Sequence, residues 1–416
     1  MNKRKPILSL ADAKSKKLQD PVKKFKTSIR AKATLQTYRK TFTEFLSSVK
    51  EFDGTFEEMA RQFYDYAREN PENAQTLLES YAMYVNSRAS KSKDSEDYLN
   101  PNSFKGKFKG IKKFCKTNRI QILWNDIDVY EPESNNNKPT RGFTTEEIRK
   151  VLDCSTSAQM DFVILALSSC GARAGEWEEL RWENISPVYA ENDKYSFQPS
   201  DFENPKIVCA CVIIYAGTKS EYRTLISIEA YDKLQAVHEQ WTSRMNREPR
   251  PDDLILLTRY NDNRPYSGSA IRNKVRKLVD KANFRTKNDN ERRYDCPATH
   301  SFRKRCNKIM VEHTGKSDSH ANHIRKERLL GHKIAISNLE QSYFYNDIME
   351  SVPQYLEVMP ELMITEEYRA KWKLQKEEQK TTHLERSLKE KEDALDIVEE
   401  LTAKVTRMEK YQQKAD

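Results

Sequence analysis

The apolar pattern predicts a mainly α chain with one small β-sheet, an α+β arrangement spread over more than one domain. Three features carry that expectation. Between residues 27 and 130, apolar side chains recur at spacings of three and four, the period of a helix buried on one face. Only residues 207–228 alternate like a hairpin around a polar turn. Residues 365–412 are dense in charge and hold no Gly or Pro, which suits one long helix. A length of 416 residues also exceeds what a single core usually serves.

Residues 1–26 carry nine Lys or Arg against two Asp, the composition of a solvated basic arm that can also lie along a phosphate backbone. Leu35, Tyr38, Phe42, Phe45, Leu46 and Val49 then form the stripe of a first helix. Met59, Phe63, Tyr64, Tyr66 and Ala67 mark a second, and Leu77, Leu78, Tyr81, Ala82 and Tyr84 a third. Phe104, Phe108, Ile111 and Phe114 mark a fourth. The outer face of that helix is Lys105, Lys107, Lys109, Lys112, Lys113 and Lys116, with no acid between 101 and 120. Many lysine faces are only solvated; beside the basic residues at 23–40, this one is expected to contact DNA.

Residues 131–140 are polar and Pro-bounded, a linker. Thr144 with Glu147 makes a capping box that opens a second domain, 141–360. A nearly all-apolar stretch at 160–167 predicts a buried helix ending near Gly171, and after the hairpin come helices near 229–247, 268–283, 300–313 and 321–330. In the C-terminal segment, 361–416, Ala394, Val398, Leu401, Val405 and Met408 keep a 4-3-4-3 spacing, enough for a helix that either packs back or pairs as a short coiled coil. The domains expected are therefore a basic arm (1–26), a helical DNA-binding domain (27–130), the linker, a catalytic domain (141–360) and this helix.

Charge is unevenly spread. Residues 1–140 hold 27 basic and 18 acidic side chains (+9), residues 141–360 hold 33 and 31 (+2), and residues 361–416 hold 12 and 14 (−2). The whole excess sits at the front and implies an anionic partner there. No apolar run is long enough to span a membrane, and the N-terminus lacks the apolar core of a secretory signal. The seven cysteines form no CxxC pair and no metal-ligand cluster, so they suggest reduced thiols in a cytoplasmic chain, with no metal. Glycine-rich phosphate loops are absent, so no nucleotide cofactor is expected.

Four short motifs in 141–360 carry chemistry. Gly171-Ala172-Arg173-Ala174-Gly175-Glu176 puts an arginine just past a helix end, with a carboxylate three residues on that can brace it. Thr218-Lys219 places a lysine at the hairpin turn, where it could pass a proton to a leaving oxygen. His300-Ser301-Phe302-Arg303 sets a proton carrier and a second arginine on one helix face. Leu329-Leu330-Gly331-His332 precedes Gln341-Ser342-Tyr343-Phe344-Tyr345, which offers a phenol as nucleophile.

This order of Arg, Lys, HxxR, LGH and Tyr resembles the tyrosine recombinases, the phage-integrase family, over about residues 27–360. The resemblance implies a C-shaped DNA clamp of a helical core-binding domain and a catalytic domain, acting on double-stranded DNA as a dimer or tetramer in the cytoplasm with the nucleoid. Arg173 and Arg303 would hold the scissile phosphate, Lys219 would be the general acid, and His300 and His332 would assist proton transfer and phosphate binding. Glu176 would brace Arg173. A tyrosine would form a 3′-phosphotyrosyl link that conserves the bond energy, so neither metal nor ATP is needed. The activity implied is site-specific recombination, integrating or excising a mobile element. Replicon-dimer resolution or a decayed DNA-binding protein are the alternatives. Two gaps depart from the family's pattern: a polar insertion at 317–323, and a longer step from Gly331-His332 to the tyrosine, hinting at an archaeal or viral branch. That step leaves two nucleophiles open, with Tyr343 preferred over Tyr345.

Overall fold

The computed structural model describes residues 20–134, 140–258, 264–287, 294–314, 320–332 and 348–412. Contacts divide them into two compact units that meet in sequence between Pro139 and Thr140. The α+β class holds: helices dominate, and the described strands form one four-stranded antiparallel sheet.

The first unit is a helical bundle of α1 (Pro21–Thr27), α2 (Lys32–Leu46), α3 (Phe56–Glu69), α4 (Pro71–Ala89), α5 (Phe104–Asn118) and the short α6 (Trp124–Asp128). Its core is aromatic. Phe42 lies 4.8 Å from Phe114 and 5.9 Å from Phe63, and Phe45 meets Phe63 edge-on at 5.3 Å. The basic arm ends earlier than its composition suggests. Asp20 caps α1, and Val22 and Phe25 enter the core, with Phe25 5.8 Å from Phe114. Two apolar residues three positions apart are too short a signal to stand out among lysines.

The lysine face of α5 is also less uniform than the sequence pattern implies. Lys109, Lys112 and Lys116 are exposed. Lys107 instead turns inward to Glu44, 2.7 Å away, which also takes Arg88 at 2.9 Å. Burial works against the Glu44 charge, but the two cations outweigh it and hold its carboxyl below the usual range. Lys105 pairs with Glu131 at 2.8 Å, and Lys112 rides 4.9 Å over the Trp124 ring. Only part of this face is left for an outside anion.

The second unit opens with α7 (Thr145–Asp153), whose Thr144–Glu147 capping box is formed as the sequence predicts. Next, α8 (Ala158–Cys170) is buried on every side from Phe162 onward, and Gly171 ends it in the left-handed region at φ +66°. The sheet runs in the order β2-β1-β3-β4, with β1 (Ile185–Glu191), β2 (Lys194–Ser196), β3 (Lys206–Ile214) and β4 (Tyr222–Ser227). The β3–β4 hairpin matches its sequence signal. β1 was not foreseen, because it holds Pro187 and buries only Ile185 and Val188, a spacing of three rather than two.

β3 is apolar throughout because both its faces are covered. Ala210, Val212 and Ile214 face a core with α8 and α9 (Ile228–Met245). Val208, Cys209 and Cys211 face a second core with Leu329, Leu330 and Tyr355. Burial raises both thiols, Cys211 to about 12, so packing is their role.

The remaining helices are α10 (Gly268–Lys281), α11 (His300–Thr314), α12 (His320–Leu329), α13 (Val352–Leu362) and α14 (Glu366–Gln412). Buried Glu229 accepts from the backbone N–H of Ile364 and Thr365 at 2.7 and 2.9 Å, which pins the α13–α14 corner. Among the described side chains, α14 packs back at its base, where Trp372 is buried and Tyr368 donates to Asp232 at 2.9 Å. Farther along it, Leu384, Leu388, Leu395, Val398 and Leu401 are each more than half exposed. Among the described residues, no helix is long and apolar enough to cross a membrane.

Two glycines of α5 give an internal test. A Cβ on Gly110 would lie 2.3 Å from the Tyr38 carbonyl oxygen, whereas one on Gly106 would meet nothing within 4 Å. Gly110→Ala is expected to destabilise the first unit by about 2 kcal/mol through overpacking. Gly106→Ala is expected to stabilise it by about 0.5 kcal/mol through helix propensity. Denaturant midpoints of the two variants, read in far-ultraviolet dichroism, should move in opposite directions.

Candidate active site

The second unit brings three of the four motifs to one place. After Gly171 the chain reverses out of α8, and Arg173 starts a 3-10 turn, Ala174–Trp177. Trp177 is fully buried, so the turn is anchored while Arg173 stays exposed at its head. Glu176 is 5% exposed and accepts from both ends of Arg173: its backbone N–H at 2.8 Å and Nη1 at 2.7 Å. A third donor, the Tyr222 hydroxyl, reaches Glu176 Oε2 at 2.6 Å. Burial, then Glu176, pushes the Tyr222 phenol far up, so it remains a hydrogen-bond donor at any physiological pH.

On α11, Phe302 packs edge-on against Phe143 at 4.9 Å, and Ser301 donates to the Arg141 carbonyl at 3.0 Å. That fixes the helix rotation and aims Arg303 at the end of α8. Arg303 is 9% exposed; its Nη1 donates to the Gly171 carbonyl at 2.8 Å, while its buried Nη2 meets no acceptor among the described residues. Burial, then the Arg173 charge, lowers the Arg303 pKa from its ordinary value. His300 opens the same helix. Desolvation, then Arg173, Arg303 and Lys304, lowers its pKa too, so the ring is neutral at pH 7.

Arg173, Glu176, His300 and Arg303 line a cavity of about 200 Å³, together with Tyr215, Arg272 and Thr299. Three guanidinium groups and an imidazole around so small a space suit an oxyanion. The sequence reading missed Arg272 and Tyr215. Nothing near Arg272 in sequence marks it, because α10 reaches the cavity only through tertiary packing.

Gly331-His332 joins from behind. Gly331 has φ +65°, and a Cβ there would lie 2.5 Å from the Tyr222 ring, so the glycine serves both the turn and the contact. His332 Nδ1 is hydrogen-bonded to the Glu327 carboxylate, which fixes the ring's orientation. His332 and Lys219 do not line the cavity; Lys219 is exposed in the β3–β4 turn, a few residues from Tyr215. Tyr343 and Tyr345 lie outside the described residues.

No family model matches the chain, and no curated protein matches it. Solved structures that align with it include XerA recombinase, at 16% identity over 77% of this chain and 97% of that one, with a TM-score of 0.31. A lambda integrase tetramer bound to a Holliday junction aligns at 14% identity over 81% and 83%, TM-score 0.40. The Tn1549 transposon integrase in complex with transposon right end DNA aligns at 12% over 77% and 98%, TM-score 0.37. Superpositions this loose leave the cavity's own geometry to carry the functional conclusion.

Two outcomes check the cavity. Glu176→Ala orphans Arg173 and the Tyr222 hydroxyl together, and is expected to cost about 2 kcal/mol in the denaturant midpoint of the second unit. The His300 imidazole should titrate below its ordinary value of about 6.5 in the free protein and move upward when a phosphodiester adds its negative charge. Proton NMR across that range reads both; a free-protein midpoint at or above the ordinary value contradicts the geometry.

Proposed function

We propose that the chain is a site-specific DNA recombinase that cuts and rejoins strands through a 3′-phosphotyrosyl link. The observation that supports this most is the cavity, where Arg173 converges with the Nη2 of Arg303, unpartnered among the described residues, beside a neutral His300. A phosphodiester supplies the acceptors those donors lack, and its pentacovalent transition state carries more negative charge than the ground state, so fixed guanidinium groups favour it.

In this reading the tyrosine oxygen attacks phosphorus, the bond to the 5′ oxygen breaks, and the proton that oxygen needs comes from Lys219 at the hairpin turn. His300, neutral, accepts and returns the phenol proton, and His332 hydrogen-bonds a phosphoryl oxygen. A 5′-hydroxyl from another strand then reverses the step, and the phosphate bond energy is retained throughout. Exchange between two duplexes needs at least two such sites, so the chain would work as a dimer or tetramer on DNA. Integration or excision of a mobile element is the expected role, in the compartment that holds the DNA. The exposed lysines of α5 would add backbone contacts.

Tyr343 is the nucleophile in this proposal. Mixing Tyr343→Phe and Tyr345→Phe separately with a nicked suicide duplex should abolish covalent capture in the first and keep it in the second. Capture by Tyr343→Phe together with loss in Tyr345→Phe reassigns the nucleophile. Loss of capture in the unaltered chain would leave a protein that binds DNA without cutting it.

A further inference from the structure

We propose that Arg272 is a third guanidinium for the DNA backbone, and that it holds the phosphate next to the one taken by Arg173 and Arg303. The proposal rests on the recombinase reading above. Arg272 sits one turn into α10, on the face of Gly268. That face is pressed against the Arg173 turn by two glycines. A Cβ on Gly268 would lie 2.6 Å from the Gly175 carbonyl oxygen, and a Cβ on Gly175 would lie 2.2 Å from Arg272 Nη1. The Gly268 contact is with backbone, so glycine there lets α10 lie this close to the turn, and Gly175 leaves room for the guanidinium above it.

The neighbouring charges show what this arginine is not. Gly268 N–H donates to Glu178 Oε2 at 2.7 Å, which ties the start of α10 to the residue just past the Arg173 turn. Arg285, which lines the next groove along α10, is paired with Asp280 and stacked on Tyr294, a structural arrangement. Arg272 has no ion pair among the described residues and is exposed.

Arg272 and Thr299 are shared by two spaces. One is the 200 Å³ cavity; the other is a groove of about 580 Å³ that also takes Asn273 and Arg276 from α10. A phosphodiester has two non-bridging oxygens, and the guanidinium groups of Arg173 and Arg303 already supply donors for both. A guanidinium on the shared wall therefore meets the next phosphate as the strand passes from cavity to groove.

The test uses the full chain with Arg272→Ala and Arg272→Lys. On a short generic duplex, Arg272→Ala should lower the slope of log affinity on log salt by about one, and Arg272→Lys should preserve it. An unchanged slope overturns the proposal whether or not the chain cuts DNA. On a duplex carrying the site where the unaltered chain becomes covalently attached, Arg272→Ala should bind about tenfold more weakly. Methylphosphonates then neutralise, singly, the scissile phosphate and its two neighbours. Loss of the Arg272→Ala defect at a neighbour supports the assignment, and its loss at the scissile phosphate overturns it. A changed slope with no covalent capture by the unaltered chain would retain Arg272 as a backbone contact and fail the recombinase reading.

Discussion

The Glu176 carboxylate is the joint on which the site depends. It is nearly out of water, and it takes three donors from two places: both the backbone and the guanidinium of Arg173, and the hydroxyl of Tyr222. An isolated buried carboxylate is costly, so the arrangement stands only if all three donors are in place. Tyr222 lies at the start of β4, and its ring rests on Gly331. One carboxyl thus ties the end of α8, the hairpin and the Gly331-His332 corner to a common position, and Arg173 inherits that rigidity.

α11 shows how finely packing separates similar residues. Arg303 and Arg305 are two positions apart and both nearly buried. Arg303 reaches the end of α8 with one nitrogen to spare. Arg305 spends its guanidinium on the Leu362 and Glu361 carbonyls and the Thr145 hydroxyl, closing the end of α13. Burial lowers the Arg305 pKa to about 10, yet it still carries its charge at neutral pH. The helix is therefore held from both sides, by the cavity and by the C-terminal corner that Glu229 pins.

Much of this was legible from residue order. Periodicity located α2 to α5 and α9 to α12, the capping box at Thr144 formed, and the spacing of Arg173 and Glu176 foretold their ion pair. The rest depended on contacts that no local pattern encodes. α1 is too short to show its period. β1 hides behind Pro187 and a burial spacing of three. Lys107 looked like its neighbours until Glu44, far away in sequence, claimed it. Arg272 carries no motif of its own; it joined the cavity because two glycines in separate segments let a helix approach.

Those glycines bear on how the chain can vary. Gly171, Gly175, Gly268 and Gly331 each have a neighbour closer than 3.0 Å to where a Cβ would sit, and each such contact runs from one motif or helix of the cavity to another. Gly106 touches nothing. In a chain so poor in glycine, drift at the cavity is constrained first by missing atoms and only then by charged ones. Lineages that exchanged lysines on the outer faces freely would still keep Gly171, Gly268 and Gly331, because a methyl group there meets a left-handed backbone or another segment's backbone, which no change of charge would relieve.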